Sequence, residues 1–528
     1  MKFIASVVSI IALGFGLIGC PSSGGSGGGV TCAITTTAAP FGVVGNAYSA
    51  TLATTGGTAP LTWILFGGVL PTGLSLIAGT GVVSGIPTAA GNPTVVFAVT
   101  DSTGKTATGP VLFAVHPRTD RVSVDSNGLT GNGASSAPSI SGDGSLVALV
   151  SQSTNFVTGA NGSQVYAHNR QTNQVELISR DGNLTVVNAG NGISSAPAIS
   201  ADGRFVAFVS QSTNLVTGVI IAPQIYLRDR QTGQTTLVSK SSSGVTSNGL
   251  VNSSPAISGD GQFIAFVSNG TNVVTGVTGQ QIYLHDRVSG TTSLISKDNS
   301  VTPVPGDGTS VTPVLSADGR YVAFASLATN LGAAGGNQQI YIHDRLTGVN
   351  GTTSLISKDS VSTAGNGNNS TPSISGDGRY VAFASLATNL VAGVSGQQIY
   401  LHDRLAGVNG TNSLISHDNS GVPVSGDGAS SVPSLSSNGQ VVAFTSLSTN
   451  LMTGVSGQQI YSHDRLAGVN GTTSLVSKDN GVVPVAGSGL SNTPSASSDG
   501  GFVAFYSQAA NLVPGSVALS DIYVRAMP

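Results

Sequence analysis

Short apolar runs separated by glycine-rich turns dominate the chain from residue 34 to its end. In one run, Tyr380, Ala382 and Ala384 fall on one side of an extended strand, while Val381 and Phe383 fall on the other. A strand that is apolar on both sides is expected to be covered on both sides. The 72 glycines and the many Ser, Thr and Asn residues fit tight turns between such strands. The pattern predicts an all-β protein.

This doubly apolar strand recurs seven times, at intervals of 58–61 residues. In every copy a turn precedes the strand, and in that turn an aspartate or asparagine stands before a glycine. These turn residues are Asp143, Asp202, Asp260, Asp318, Asp377, Asn438 and Asp499. A fixed period indicates one structural unit that is copied and that needs its neighbours to bury its faces.

Each copy contains four predicted strands, which in the fifth copy are 371–375, 379–385, 398–403 and 411–416. The Asp-Gly turn joins the first two strands, because this pair tolerates positive φ. One position in every copy is alanine, which allows neighbouring sheets to approach closely: Ala148, Ala207, Ala265, Ala323, Ala382, Ala443 and Ala504. Four-stranded sheets repeated around an axis form a β-propeller.

The two ends of the repeat predict how the ring closes. The last copy ends at residues 521–528 and lacks a fourth strand. Residues 121–128 resemble 293–300, which is a fourth strand with the turn after it. The strand at 121–128 is therefore predicted to complete the last sheet and to remove a free sheet edge. The expected domain is a seven-bladed propeller over residues 117–528.

Residues 34–116 do not share the repeat and contain short predicted strands between Gly and Pro turns. Val95, Phe97 and Val99 alternate with Val96, Ala98 and Thr100, as the two faces of a β-sandwich strand do. Trp63 is expected in the core, where a large aromatic side chain contributes most.

The turn residues of this segment carry a family resemblance. Pro71, Gly73, Gly81, Gly85 and Pro87, within "LPTGLSLIAGTGVVSGIPTAAG", are similar to the turns of immunoglobulin-like modules of bacterial surface proteins. The resemblance implies an Ig-like β-sandwich over 34–116 that serves as a spacer or an adhesive unit.

The repeat itself resembles the TolB-type, WD-like propeller repeats of bacterial periplasmic and surface proteins. The motifs that carry the resemblance are "S-x-DG-x-x-VAF" and "IY-x-HDR", and it spans 121–528. It implies the fold and says little about activity. Many relatives carry aspartates before "IY", but 335–339 and 394–398 read "GGNQQ" and "VSGQQ" here, so no metal site is expected.

The N-terminus predicts export. Lys2 precedes an apolar stretch that ends near Ile18, which is short for a membrane span and typical of a secretory signal over residues 1–19. The sequence Leu17-Ile-Gly-Cys20 resembles the lipobox of bacterial lipoproteins, which implies cleavage before Cys20 and lipidation of its sulfur. Pro21 in place of an aspartate implies the outer membrane or the cell surface. The alternative is an ordinary signal peptide with a chance cysteine.

Residues 20–33 form the expected Gly/Ser tether, and Cys32 is the only other cysteine, so no disulfide framework is predicted. Charged residues make up 8% of the chain and the net charge is −3. Lysines and arginines are not clustered, and nucleic acid is therefore not an expected partner.

No catalytic motif stands out. Five histidines occupy matching positions in different copies and are interpreted as structural, because a single site needs something found in one copy only: His168, His285, His343, His402 and His463. No catalytic residue, metal ligand or cofactor site is predicted.

Loops joining the second and third strands, such as 386–396, and loops between copies, such as 297–311, are long and emerge on one face. This long-loop face is rich in Asn, Ser, Thr, Gly and Val, which suits a neutral hydrogen-bonding partner. The expected function is a non-catalytic envelope lipoprotein that binds a protein or glycan there, with the membrane contacted only through the lipid. The alternatives are a propeller enzyme acting on envelope or extracellular glycans or peptides, and a structural coat.

A second candidate surface lies at the longer turns 345–353, 404–412 and 465–473.

Overall fold

The computed structural model describes residues 32–183, 188–219, 223–333, 336–481, 483–515 and 520–527. Within these ranges every helix-or-strand element is a β-strand. The chain divides after Pro117 into two compact units. The expected signal peptide, Cys20 and most of the tether lie outside the described residues.

The first unit consists of two three-stranded antiparallel sheets and two short strand pairs. The sheets are Thr62–Gly67, Thr94–Thr100 and Thr106–Leu112, and Tyr48–Thr51, Val82–Gly85 and Leu74–Ile77. The pairs are Ala33–Ile34 with Thr54–Thr55, and Gly42–Val43 with Val115–His116.

The core of the first unit lies between these sheets. Trp63 is 2% exposed and packs with Val83, Val95 and Phe97, so the prediction of a core tryptophan is confirmed. Cys32 is half-buried against the same cluster.

The second unit contains seven four-stranded antiparallel sheets among its described residues. We number them in chain order and count the strands of each sheet from first to fourth. Sheets 1 to 3 are Ser135–Ile140, Leu146–Ser151, Gln164–Asn169, Gln174–Leu177; Ser194–Ile199, Phe205–Ser210, Gln224–Asp229, Gln234–Leu237; and Asn252–Ile257, Phe263–Ser268, Gln281–Asp286, Thr291–Leu294.

Sheets 4 to 6 are Ser310–Leu315, Tyr321–Ser326, Gln339–Asp344, Thr352–Leu355; Asn369–Ile374, Tyr380–Ser385, Gln398–Asp403, Thr411–Leu414; and Ser430–Leu435, Val441–Ser446, Gln459–Asp464, Thr472–Leu475. Sheet 7 contains Ser491–Ala496, Phe502–Ser507 and Asp521–Ala526, and its fourth strand is Thr119–Arg121.

The fourth strand of sheet 7 begins two residues earlier than the sequence predicted. Thr119 pairs with Arg525 and Arg121 pairs with Tyr523. The N–H of Val122 donates to the Ile522 carbonyl at 2.9 Å, as the N–H of Ile295 donates to Ile282 in sheet 3. Val122 therefore corresponds to Ile295, and the sequence alignment of 121–128 with 293–300 was displaced by one residue.

The second strand of each sheet is buried on both faces, as its pattern predicted. The seven alanines at the shared position are each 0% exposed. In sheets 2 to 7 a phenylalanine of the second strand stacks on a tyrosine of the third, with ring centroids 5.8–6.1 Å apart. Each apolar cluster is shared by two successive sheets, and one cluster joins sheet 7 to sheet 1 through Ile522, Val122 and Leu149.

Seven backbone hydrogen bonds link the turns after the first strands, one from each sheet to the next. Their donor and acceptor residues are Gly142 to Ala201, Ala201 to Gly259, Gly259 to Ala317, Ala317 to Gly376, Gly376 to Ser437, Asn438 to Ser498, and Ser498 to Gly142. The series thus returns to the sheet in which it began. The first strands of successive sheets are also neighbours, and that of sheet 7 neighbours that of sheet 1.

The first strand of every sheet contains a β-bulge that the sequence did not predict. Where the first strand pairs with the second, the register skips two residues of the first strand. The first of these two residues has positive φ and the second is proline. The positive-φ residues are Ala137, Ala196, Ser254, Thr312, Thr371, Val432 and Thr493. A bulge leaves the proline, which has no N–H, outside the ladder of paired residues.

Candidate functional site

The repeated turn aspartates hold the turn. Asp377 accepts a hydrogen bond from the Ser375 hydroxyl at 2.6 Å and from the Arg379 backbone N–H at 2.9 Å. The same two bonds occur at Asp143, Asp202, Asp260, Asp318, Asn438 and Asp499. Gly378 follows with φ of 71°, so only the glycine of the pair needs positive φ.

The aspartate at the end of the third strand is bound by an arginine of the same sheet. Arg379 donates two hydrogen bonds to Asp403, at 2.7 and 2.9 Å, and this charged partner lowers the pKa of Asp403. Sheets 2 and 4 have the same bidentate pairs, Arg204 with Asp229 and Arg320 with Asp344. These carboxylates are occupied by structural partners.

The arginine after that aspartate reaches the preceding sheet. The Arg404 guanidinium lies 4.3 Å from the ring centroid of Tyr321, and Arg345 lies 4.0 Å from that of Phe263. Arg170 of sheet 1 lies over Phe502 of sheet 7 in the same way, at 4.9 Å. A cation over an aromatic face stabilises the contact between sheets.

The five repeated histidines are 2–3% exposed, and each contacts the fourth strand of its own sheet or the turn before it. The Nδ1 of His343 lies 3.0 Å from the Thr353 hydroxyl, which itself donates to the Lys297 carbonyl at 2.7 Å. Because that hydroxyl proton is used, Nδ1–H is the donor and Nε2 carries no proton. Burial lowers the pKa of His343 to about 4.

One pair of imidazoles does come together, and the sequence reasoning missed it. The rings of His417 and His463 are 4.7 Å apart and cross at 70°. His417 of copy five stands where copies two, three, four and six have a lysine: Lys240, Lys297, Lys358 and Lys478. Only a comparison of this single position across the copies could have found the pair. Among the described residues, no group of three or more His, Cys, Asp or Glu side chains could hold a metal ion.

The asparagine of the repeated "TN" pair is a second structural element that the sequence analysis did not single out. The Asn214 carboxamide accepts the N–H of Asn191 at 2.9 Å and donates to the Ala189 carbonyl at 2.9 Å. Equivalent bonds are made by Asn155, Asn272, Asn330, Asn389, Asn450 and Asn511. They fix the long loops to one another.

The loop between copies does not lie wholly on the long-loop face, which corrects the expectation from sequence. Residues 297–305 form a hairpin that folds along the outer strand of the next sheet. Asn299 exchanges two hydrogen bonds with Thr353, at 2.7 and 2.8 Å, and the Asn350 amide donates to the Val301 carbonyl at 3.2 Å. The hairpin covers the free edge of that strand.

A cleft on the long-loop face lies between the loops of sheets 1 and 2. Its volume is about 780 Å³, and Asn161, Ser163, Asn188 and Ile193 are among the residues that line it. Ile193 is 54% exposed there. One carboxylate, Asp181, reaches the cleft and accepts the Asn188 amide at 2.8 Å. The lining can exchange hydrogen bonds with a ligand and has few charges.

Sheet 7 differs from the others at one buried position. Six sheets have a glutamine at the start of the third strand, where Gln164 accepts the Ser179 hydroxyl at 2.6 Å. In sheet 7 this residue is Asp521, which is 1% exposed and accepts the Ser123 hydroxyl at 2.6 Å. Burial raises the pKa of Asp521, although Arg121 lies 3.6 Å away.

We expect Asp521→Gln to raise the midpoint of thermal unfolding by about 2 °C at pH 7, because it restores the arrangement of the other sheets. A carboxyl whose pKa is raised on folding stabilises the fold only at low pH and loses that contribution as pH rises. The gain should therefore shrink as the pH is lowered towards 4. Calorimetry at both pH values checks this, and a lower midpoint at pH 7 would contradict it.

Comparison with known proteins supports the class of the first unit. The family described as "Putative Ig domain" matches residues 31–116, which confirms the predicted resemblance. No curated protein matches the chain. In the described residues, no helix has the length and apolar character needed to cross a membrane.

Several solved structures are similar to the chain. A protein described as "putative TolB" from Agrobacterium tumefaciens has 19% identity, covering 53% of this chain and 79% of that one, with a TM-score of 0.33. The β-propeller domain of the Trilobed protease from Pyrococcus furiosus has 12% identity, 75% and 94% coverage, and a TM-score of 0.43. The acylaminoacyl peptidase of Pyrococcus horikoshii has 12% identity, 74% and 51% coverage, and a TM-score of 0.44.

Proposed function

We propose that the second unit is a closed seven-bladed β-propeller and that the protein is a non-catalytic binding scaffold of the bacterial cell envelope, held there by a lipid on Cys20. The ligand binds the long-loop face. The arrangement of seven sheets supports the ring, since the turn hydrogen bonds run from sheet to sheet and return from Ser498 to Gly142. The lipobox resemblance at residues 17–20 supports the anchor and the location.

The observation that carries the functional proposal is how the repeated polar groups are used. The turn aspartates, the third-strand aspartates and the buried histidines all have partners within the fold. Groups that serve the fold in copy after copy are not free to perform chemistry on a substrate. Binding is then the function left to the exposed loops on this rigid frame.

The cleft between sheets 1 and 2 is the favoured binding site on that face. Asn161 and Ser163 present amide and hydroxyl groups, and Ile193 provides an exposed apolar surface beside them. This combination suits a glycan or a neutral peptide loop, in which hydroxyl or amide groups alternate with apolar patches. A strongly charged small molecule would find no matching cluster there.

A pull-down with residues 32–528 tests the proposal, because this fragment keeps every described element of both units. We expect it to recover an envelope polysaccharide or protein, and we expect the double variant Asn161→Ala, Ile193→Ala to lose it. The matched control is Gln231→Ala with Thr232→Ala, two exposed turn residues at the opposite end of sheet 2. Recovery of nothing, equal loss in the control, or turnover of the bound material would overturn the proposal.

A further inference from the structure

The turns between the third and fourth strands differ in length around the second unit. In sheets 1, 2 and 3 they are short, at 170–173, 230–233 and 287–290. In sheets 4, 5 and 6 they span 345–351, 404–410 and 465–471. The three longer turns read "RLTGVNG", "RLAGVNG" and "RLAGVNG", so they contain no charged residue after the arginine.

Each longer turn holds a valine almost fully in solvent. Val349, Val408 and Val469 are 101%, 102% and 99% exposed. A leucine three residues before each valine is also exposed: Leu346, Leu405 and Leu466, at 70–73%. Scattered single apolar residues are normal on protein surfaces, but here the same exposed pair recurs on three successive sheets.

The tip of the preceding hairpin adds a third apolar residue to each pair. The Asn350 amide donates to the carbonyl of Val301, which is 96% exposed. The Asn409 amide donates to Ser360 at 3.0 Å, and the next residue, Val361, is 75% exposed. The Asn470 amide donates to the Gly421 carbonyl at 3.4 Å, and the next residue, Val422, is 82% exposed. We call these nine side chains the apolar ridge.

These exposed side chains do not stabilise the fold. A valine that is wholly exposed contributes nothing to packing, and sheets 1 and 2 have Gln171, Thr172, Gln231 and Thr232 in the corresponding turns. The turns are also held in place, since each asparagine amide is bonded to the neighbouring hairpin. The ridge therefore holds apolar side chains in fixed positions on the surface, where they can contact another molecule.

We propose that the apolar ridge docks on a lipid surface. Its valines project into solvent and do not line a groove. The three turns that carry Val349, Val408 and Val469 can all contact one flat surface. A flat bilayer offers that plane, whereas a protein partner would need three sockets at matching distances. Insertion of exposed aliphatic side chains into the interfacial region of a bilayer is favourable in proportion to the apolar area buried.

The charges near the ridge indicate a neutral lipid surface. Arg345, Arg404 and Arg465 lie 4.0–4.3 Å from aromatic rings of the preceding sheets, so they are already used within the fold. The ridge itself carries no lysine or arginine with which to attract anionic head groups, and the hairpins that hold Val301, Val361 and Val422 carry carboxylates: Asp298, Asp359 and Asp418. Binding should therefore respond little to salt, unlike attachment by a basic patch.

This inference goes beyond the proposed ligand-binding role and uses a different face. The predicted lipid on Cys20 would keep the ridge near a bilayer at high effective concentration. The ridge must nevertheless bind by itself, so its test leaves the anchor out. Failure of the ridge and failure of the ligand cleft are distinguishable, because the variants and the probes do not overlap.

The test is flotation of residues 32–528 with vesicles of pure phosphatidylcholine. We expect the fragment to float, and we expect Val349→Ser, Val408→Ser, Val469→Ser together to reduce the bound fraction at least about tenfold. Thermal unfolding of this variant should be unchanged, since the three positions are fully exposed. The matched control changes three exposed aliphatic residues on other sheets to serine: Leu129, Val245 and Leu250.

Binding at 0.5 M salt should equal binding at low salt. Absence of flotation, or an equal loss in the control variant, would overturn the proposal. A fragment that forms dimers in solution, which the triple serine variant dissociates, would also overturn it, because the ridge would then serve a second copy of the chain.

Discussion

Val122→Pro will destabilise the second unit by about 3 kcal/mol or more, although Val122 lies near the beginning of the unit and about 400 residues from its partner strand. Proline removes the N–H that donates to the Ile522 carbonyl at 2.9 Å. Val122 is 0% exposed and packs with Val147, Leu149 and Ile522, so the loss falls in the cluster shared by sheets 7 and 1. Chemical denaturation of the fragment 118–528 measures it.

The matched control is Ile178→Pro. Ile178 holds the same position in sheet 1, is 0% exposed, and donates to the Val165 carbonyl at 2.9 Å. In sheet 1, however, all four strands come from one stretch of chain. The two prolines should cost similar amounts. If Ile178→Pro destabilised the unit and Val122→Pro did not, the strand at 119–121 would be dispensable.

The second unit will lose stability steeply as the pH falls from 6.5 to 4. Burial lowers the pKa of His285, His343 and His463 from 6.5 to about 4. These imidazoles take up protons more readily in the unfolded chain than in the fold, so stability is present above pH 6.5 and is lost as the pH falls towards 4. Each histidine contributes a slope of about 1.4 kcal/mol per pH unit. Three together give about 4 kcal/mol per unit.

Local packing explains why protonation is costly at these positions. The Nδ1 of His343 already donates to Thr353, and a Cβ on Gly351 would lie 2.3 Å from Nε2, so the second proton would enter a closed space. Denaturation at pH 7, 6, 5 and 4.5 checks the slope, and His343→Gln should reduce it by about one third. The lowered pKa of Asp229, about 2, affects stability only below pH 4. An acid loss that began only below pH 4 would contradict the account.

Much of the fold was predictable because it is written in short periodic patterns. The two-sided apolar strand predicted burial on both faces, and the seven alanines are indeed fully buried. In the fifth copy the predicted strands 371–375, 379–385, 398–403 and 411–416 differ from the observed strands by no more than two residues at any end. Alternation and turn residues are local signals, and each copy of the repeat shows the same pattern, so the strand assignments of the copies support one another.

Features that depend on neighbouring sheets were not predictable in the same way. The sequence placed residues 297–305 on the long-loop face. Their actual position depends on hydrogen bonds between Asn299 and Thr353, which are 54 residues apart, and no local pattern indicates such bonds. The pair of His417 and His463 arises between the hairpin of one copy and the third strand of the next. The register of residues 119–125 was displaced by one, since "RVSVD" and "SLISK" align equally well by hydrophobic pattern alone.

The candidate site was predicted less completely than the fold. The long-loop face was identified from loop length, but the asparagines that brace its loops, such as Asn214, were counted only as part of its composition. The apolar character of the turns 345–351, 404–410 and 465–471 was visible in the sequence, whereas the exposure of Val349, at 101%, required the structure.

In the proposed ring, the strand at 119–121 joins the last sheet to the first. Thermal unfolding of two fragments, 118–528 and 126–528, tests it most directly, because they differ only by the strand and the residues that follow it. We expect 118–528 to unfold cooperatively. We expect 126–528 to unfold about 5 °C lower, as a loss of several kcal/mol implies for a unit of this size, or to associate through the exposed edge of its last strand. Equal midpoints for the two monomeric fragments would contradict it.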